Sequence, residues 1–321
     1  MGRTHLGAYR KAAAAGFPNR IVAVCDQDPE RRAGRAGAQG NLEAQQASQP
    51  MFDPRDVLAT AEVDELLAND EVGLVSICTH TDTHVDIALR ALTAGKHVLV
   101  EKPVAVASRD VARLALAARG AATLCMPAHC MRFWPAWAWL RERVVAGDLG
   151  AVRGATFRRL AARPAWARAF YEDTPRSGGA LVDLHVHDAD FVRWCFGDPD
   201  GVSSAGDAHH LTTLYRYAGG PAHVVAEGGW DHSPGWAFRM RYTVVFDHAT
   251  ADFDMGREPE LLLARGGELE PVAVAGTDGY DGEVRHLLEC IGTGSRELRV
   301  TMDDAEAIAR LLEAEAHSLA R

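Results

Sequence analysis

Through Pro127 the chain alternates between short apolar runs and amphipathic stretches. Arg20–Asp26 is apolar from Ile21 to Cys25 and closes on an acid, and Val72–Cys78, His97–Glu101 and Ala122–Pro127 are runs of similar length. Consecutive rather than alternate apolar positions, over so few residues, predict parallel strands buried on both faces. Between the runs the apolar positions fall three and four apart. Val85, Ala88, Leu89 and Leu92 line one side of a predicted helix His84–Ala94, stopped by Gly95. Leu6–Ala15, Pro29–Ala38, Val63–Asn69 and Ser108–Arg119 are predicted helices on the same grounds. Strands joined by crossover helices predict an α/β Rossmann-type parallel sheet domain, assigned to residues 1–124.

Beyond Val152 the period changes to two. Val152–Leu160, Leu211–Ala218, Ala222–Trp230, Ala237–Asp247 and Leu261–Val274 alternate, and Gly219-Gly220 and Gly266-Gly267 fall where hairpin turns belong. Helical spacing holds for Pro135–Ala146, for a stretch through Leu184, Phe191, Val192 and Cys195, and for the terminal segment from Asp303 to Leu319. Residues 125–321 are therefore expected to form an α+β domain on an open, mainly antiparallel sheet.

The length of 321 residues suits two such domains. A net charge of −10 excludes nucleic acid and anionic membrane as main partners, and no apolar run approaches the ~20 residues needed to span a bilayer. Met1–Lys11 lacks the apolar core of a signal peptide. The six cysteines include no Cys-x-x-Cys pair and several lie inside apolar runs, so they read as buried thiols of a cytoplasmic protein with neither disulfides nor a metal site. Lysine occurs only at Lys11, Lys96 and Lys102, against a background rich in arginine. Lysine retained in such a chain points to work a guanidinium cannot do, such as exchanging a proton near neutrality.

Ligands of parallel sheets bind beyond the carboxyl ends of the strands. Three such ends carry polar residues: Asp26, the turn Thr79–Thr83 before His84, and Glu101–Lys102–Pro103. An acid ending the strand after the first crossover reads the adenosine ribose hydroxyls, and its charge favours NAD, with NADP as the alternative.

The order of these features resembles the Gfo/Idh/MocA family of NAD(P)-dependent oxidoreductases. The stretches that match are Gly2 with its helix, Ile21–Asp26, Val75–His84, Ala94–Val98, Glu101-Lys102-Pro103, Arg132-Phe133, and Gly178–His187 through Trp194. The resemblance implies hydride transfer between a nicotinamide and a carbinol of a sugar, sugar acid or cyclitol, with Lys102, His187 and Asp183 as catalytic residues. It implies cofactor contacts from Gly2, Asp26, Thr79, His80, His84, Glu101 and Lys102. A base on the hydroxyl and a cation beside the developing oxyanion are what that chemistry needs. Asp183 and His187 are four apart and share a helix face. The aromatic residues Trp134, Trp166 and Tyr171, with Arg132 and His185, are the expected substrate contacts. The resemblance, together with an antiparallel sheet needing cover on both faces, predicts a homodimer or homotetramer.

The chain departs from the family pattern at His80, where proline is usual, and at His185, where glycine is usual. It also lacks a complete Gly-x-Gly-x-x-Gly. With Gly2 as the last glycine of that fingerprint, the first strand and two glycines are expected upstream of Met1, and cofactor binding by the chain as written is expected to be impaired. Two other readings remain open: a catalytically inactive nucleotide- or sugar-binding relative, and a metal-dependent hydrolase using His185 and His187. In the hydrolase reading His209, His210, His223, His232, Asp231 and Asp247 are the pool of further ligands.

Overall fold

The computed structural model describes residues 1–35 and 51–320. The chain forms two compact units, and each draws on the C-terminal region.

The first unit comprises residues up to His129 together with Gly279–Glu306. Its elements in order are α1 (Gly2–Ala14), β1 (Ala23–Cys25), α2 (Pro29–Arg32), β2 (Leu58–Thr60), α3 (Val63–Leu67), β3 (Leu74–Ile77), α4 (His84–Thr93), β4 (His97–Glu101), α5 (Ser108–Gly120) and β5 (Cys125–Ala128). All pairings are parallel, as the consecutive apolar runs require. The strands form two sheets, β1-β2 and β3-β4-β5. Among the described residues no strand pairs with the second edge of β1 or of β3. Val98, Leu99 and Val100 of the central strand β4 are fully buried, whereas Ala23, Val24 and Cys25 of β1 are only half-buried. The helix expected over Pro29–Ala38 is seen to Arg32, and residues 36–38 of it lie outside the described residues. A helix over Gly279–Thr293, which the sequence did not indicate, joins this unit. Packing groups the chain up to His129 with Gly279–Glu306, where the sequence reading divides it at 124/125.

The second unit spans Cys130–Asp278 and the rest of the terminal helix from Ala307. It contains α6 (Pro135–Ala146), β6 (Val152–Ala162), α7 (Arg168–Glu172), α8 (Thr174–Ser177), α9 (Gly179–Asp183), α10 (Val186–Phe196), β7 (Gly201–Gly206), β8 (His210–Arg216), β9 (His223–His232), β10 (Arg239–Phe246), β11 (Thr250–Asp254), β12 (Leu261–Arg265) and β13 (Glu268–Pro271). The eight strands form one sheet in the order β13-β12-β11-β10-β6-β9-β8-β7. It is antiparallel except where β6 and β9 run parallel. Leu261–Val274 proves to be the hairpin β12–β13, turned at Gly266 and Gly267 with both φ positive.

The alternation in β10 sends Met240, Tyr242, Val244 and Phe246 into the core and Thr243 and Val245 outward. Trp137 of α6 sits at the centre of that core, with ring centroids 4.7 Å from Phe191 and 5.3 Å from Tyr242. Edge-on aromatic packing of this kind adds about 0.5–1.5 kcal/mol per pair beyond the area it buries.

Candidate active site

In the first unit the predicted residues gather at the C-terminal ends of the parallel strands. A Cβ built on Gly2 would lie 3.8 Å from Cys78 Cβ, so the first turn of α1 sits against the end of β3. That helix carries neither a side-chain cap nor an acid in its first turn. Its leading N–H groups and positive dipole end are thus suited to an anion such as a pyrophosphate. Asp26 follows β1; its Oδ1 accepts from Asp28 N at 2.9 Å, and Arg31 Nη1 lies 3.7 Å from its Oδ2. Thr79 and His80 are exposed after β3, with Thr83 Oγ1 2.7 Å from Thr79 Oγ1.

His84 is enclosed. Its Nδ1 lies 3.0 Å from Pro103 O and its Nε2 3.1 Å from Thr79 O, which ties the turn after β3 to the turn after β4. Burial holds its pKa below the ordinary 6.5, so the ring is neutral and donates through one nitrogen. These residues fit a dinucleotide: an uncapped helix start, a carboxylate at the next strand end and an exposed polar turn occupy one edge of the parallel strands.

Glu101 does not face the solvent edge. It is 4% exposed, its Oε1 lies 2.9 Å from His5 Nε2, and its Oε2 accepts from the Lys102 backbone N–H at 3.0 Å. Burial alone would raise the pKa of this carboxyl. The hydrogen bond and charge of His5, with Lys102 nearby, outweigh it and hold the group below 4.5. His5 is pushed well above 6.5: burial opposes its charge, but Cys78 and Glu101 favour it more. The ring also lies 2.7 Å from Ser76 Oγ and 3.7 Å from Glu283 Oε1 of the Gly279–Thr293 helix. A buried ionic post thus supports the Glu101–Pro103 turn and leaves the Lys102 side chain half-exposed above it. Glu101 thus holds that turn in place from within the unit. Nothing in the sequence linked residue 5 to residues 76 and 283, because no local spacing encodes a long-range buried pair.

In the second unit Asp183 ends α9 and His187 is the second residue of α10, so the two lie on successive helices and not on one helix face as expected. Both are half-buried, while Leu181, Val182, Leu184, His185, Val186 and Asp188 around them are buried. Entry to α9 needs glycine: Gly179 has φ +70°, and a Cβ there would stand 2.5 Å from Ala208 O.

Two expected substrate contacts have other partners. Arg132 is 2% exposed and grips Asp190, with Nη2 2.7 Å from Oδ1 and Nε 3.1 Å from Oδ2. His185 is fully enclosed; its Nε2 lies 3.1 Å from Tyr215 Oη and 3.0 Å from Glu315 Oε2. Glu315 raises its pKa against the effect of burial. Both residues are core polar groups, which also removes His185 and His187 as a pair facing one metal. Asp188 forms a second buried pair with Arg159, 2.7 Å from Oδ2 to Nε, which sequence reading missed. Trp134 precedes α6 and is half-buried. Trp166 packs edge-on against Tyr171 at 6.3 Å, and Tyr171 in turn against Trp230 at 5.5 Å.

Residues 1–129 match the model of an oxidoreductase family with an NAD-binding Rossmann fold, and residues 137–252 match the GFO/IDH/MocA C-terminal domain. The chain is 34% identical to the uncharacterized oxidoreductase sll0816 of Synechocystis over 44% of its own length and 39% of that protein. It is 29% identical to trans-1,2-dihydrobenzene-1,2-diol dehydrogenase of Mus musculus, over 79% of this chain and 80% of that one. A solved structure of levoglucosan dehydrogenase with NADH and levoglucosan shares the fold, with a TM-score of 0.81 at 19% identity, covering all of this chain and 94% of that one. Two family models in tandem, over a parallel-strand unit that fits a dinucleotide and a mostly antiparallel sheet unit, establish that the chain belongs to the Gfo/Idh/MocA family of NAD-binding oxidoreductases.

Proposed function

We propose that the protein is an NAD-dependent dehydrogenase or reductase acting on a secondary hydroxyl of a sugar, sugar acid or cyclitol. The observation that carries this reading is the Glu101–Lys102–Pro103 turn: a buried His5–Glu101 pair fixes its backbone and leaves its one lysine half-exposed. The mouse relative, named for a trans-diol on a six-membered ring, supports the substrate class. The bound nicotinamide supplies the site that accepts or gives up the hydride. The first turn of α1 is assigned to the pyrophosphate and Asp26 to the adenosine ribose hydroxyls, where its charge disfavours the additional phosphate of NADP. Lys102 and His187 handle the hydroxyl proton, and Asp183 orients His187. The exposed outer positions of the sheet, among them Thr243 and Val245, are assigned to self-association, giving a cytoplasmic dimer or tetramer.

The test is a panel of sugars and polyols with NAD and with NADP, followed at the nicotinamide absorbance and paired with light scattering. Lys102→Ala is expected to lower turnover about 10²-fold or more, the size of a lost general acid–base group. Full turnover by that variant on the best substrate sinks the assignment.

A further inference from the structure

The outer face of the sheet in the second unit carries a cluster that the hydride chemistry does not use. His210 opens β8, directly across from Gly229 of β9, and Asp231 and His232 end β9. A Cβ on Gly229 would stand 2.7 Å from His210 Cγ, so the absence of a side chain there lets the imidazole lie flat across the neighbouring strand. From that position His210 Nδ1 is 2.8 Å from Asp231 Oδ1. His232 Nδ1 is 3.6 Å from the same oxygen. One ligand atom from each of the three side chains lies within 4.8 Å of the others.

We propose that His210, Asp231 and His232 bind a divalent transition-metal ion of the zinc class. Two imidazoles and one carboxylate are a donor set for zinc, cobalt or nickel, whereas magnesium and calcium take oxygen ligands. Metal–ligand bonds of 2.0–2.1 Å in a tetrahedron separate ligand atoms by about 3.3 Å. The observed 2.8 and 3.6 Å bracket that spacing, so small side-chain rotations suffice.

Three further observations point to a ligand. His232 Nδ1 is shielded from solvent and makes no hydrogen bond among the described residues. Its ring is held by stacking on Trp236, with centroids 4.9 Å apart. The other nitrogen of His210, Nε2, lies 3.1 Å from Glu227 Oε1, and Glu227 is itself held by Arg158 Nε at 2.6 Å. A carboxylate behind a ligating histidine fixes its tautomer and raises its basicity, and such outer partners are worth about 10–100-fold in metal affinity. The ion would pin the start of β8 to the end of β9.

The experiment is a titration of the untagged, full-length protein with Zn²⁺ against a chromophoric chelator, and with Co²⁺ followed by its visible absorption. One equivalent is expected to bind, with tetrahedral-type cobalt bands. His210→Ala and His232→Ala are each expected to weaken that equivalent by at least about tenfold, and Glu227→Gln by about 10–100-fold. His317→Ala, remote in sequence on the terminal helix, is expected to leave it unchanged. Circular dichroism and gel filtration of each variant establish that fold and oligomeric state are retained. If the three site variants bind zinc as the parent does, or if the parent binds no stoichiometric equivalent, the assignment is wrong. The readout involves neither nucleotide nor substrate, so it stands or falls apart from the proposed dehydrogenase activity.

Discussion

Replacing Asp190 by Asn tests whether Arg132 serves the fold or a ligand. Asp190 is a buried carboxylate that engages Arg132 through charge-assisted hydrogen bonds from Nη2 and Nε, the shortest at 2.7 and 3.1 Å. Bonds of this type contribute about 1.5–3 kcal/mol each, and removing one partner leaves an uncompensated buried charge at a cost of about 3–5 kcal/mol. The guanidinium keeps its stacking over the Trp194 ring, 5.5 Å away and worth roughly 1 kcal/mol. Asp190→Asn is therefore expected to lose about 3–4 kcal/mol, or about ten degrees of melting temperature. The double variant Arg132→Met with Asp190→Leu removes both charges at similar volume and is expected to melt near the parent, since buried ion pairs are often neutral or worse against apolar substitutes. It is also expected to keep a parent-like KM, because neither side chain reaches solvent. Thermal and urea melts of the three proteins, with steady-state rates on the best substrate, decide the matter. A loss under about 1 kcal/mol in Asp190→Asn would refute the account. So would a double variant that is stable but has lost its substrate affinity.

The stability these groups contribute is expected to be greatest between the unfolded pKa values of 4.5 and 6.5 and to fall on both sides. His5 and His185 have folded pKa values above 6.5, so their contribution is complete below 6.5 and is lost as pH rises through the folded values. Glu101 is held below 4.5, and its contribution is lost as pH falls through that lower value. Urea midpoints in reducing buffer that stay flat or rise from pH 6.5 to pH 9 would contradict this. Backbone amides of Ala23–Cys25, in a strand with one edge unpaired among the described residues, should exchange with deuterium faster than those of Val98–Val100, paired on both sides. Equal protection by mass spectrometry would mean that the edge of β1 is covered in solution.

Period alone placed most of the architecture. The consecutive apolar residues of His97–Glu101 and the alternation of Arg239–Phe246 each have one physical solution, burial on two faces or on one. What escaped was set by contacts distant in the chain. The strand Thr250–Asp254 is short and interrupted by acids, and it is a strand because β10 and β12 pair with it on either side. The Gly279–Thr293 helix buries the charged residues Asp281 and Glu283, which no apolar periodicity announces; Asp281 meets Lys11 at 3.0 Å. At the site, Lys102, Asp183 and His187 stood out through composition and resemblance. Arg132 and Glu101 stood out equally, yet they proved to be internal. Chemistry-bearing residues look alike in sequence whether they face a ligand or a buried counter-charge.

His185 shows how a departure from a family pattern is accommodated, and it yields a sharp test. The family resemblance implies glycine at this position, and here an imidazole fills it. The compensating glycine stands on the sheet: a Cβ on Gly228 would lie 2.8 Å from His185 Nδ1 and 2.9 Å from His185 Cβ. The ring cannot swing aside, because Tyr215 and Glu315 hold its far nitrogen at 3.1 and 3.0 Å and no solvent reaches it. Gly228→Ala in the parent is thus expected to cost about 1–3 kcal/mol through overpacking. His185→Gly relieves the clash, although it leaves the Tyr215 hydroxyl and Glu315 without their imidazole partner. In that background Gly228→Ala should cost little or nothing. The double-mutant cycle is then expected to show a coupling of about 1–3 kcal/mol, measured from urea midpoints at pH 6.5. Two changes that add to within about 0.5 kcal/mol would mean that the sheet yields freely at Gly228, and that the histidine was admitted without any matching change on β9.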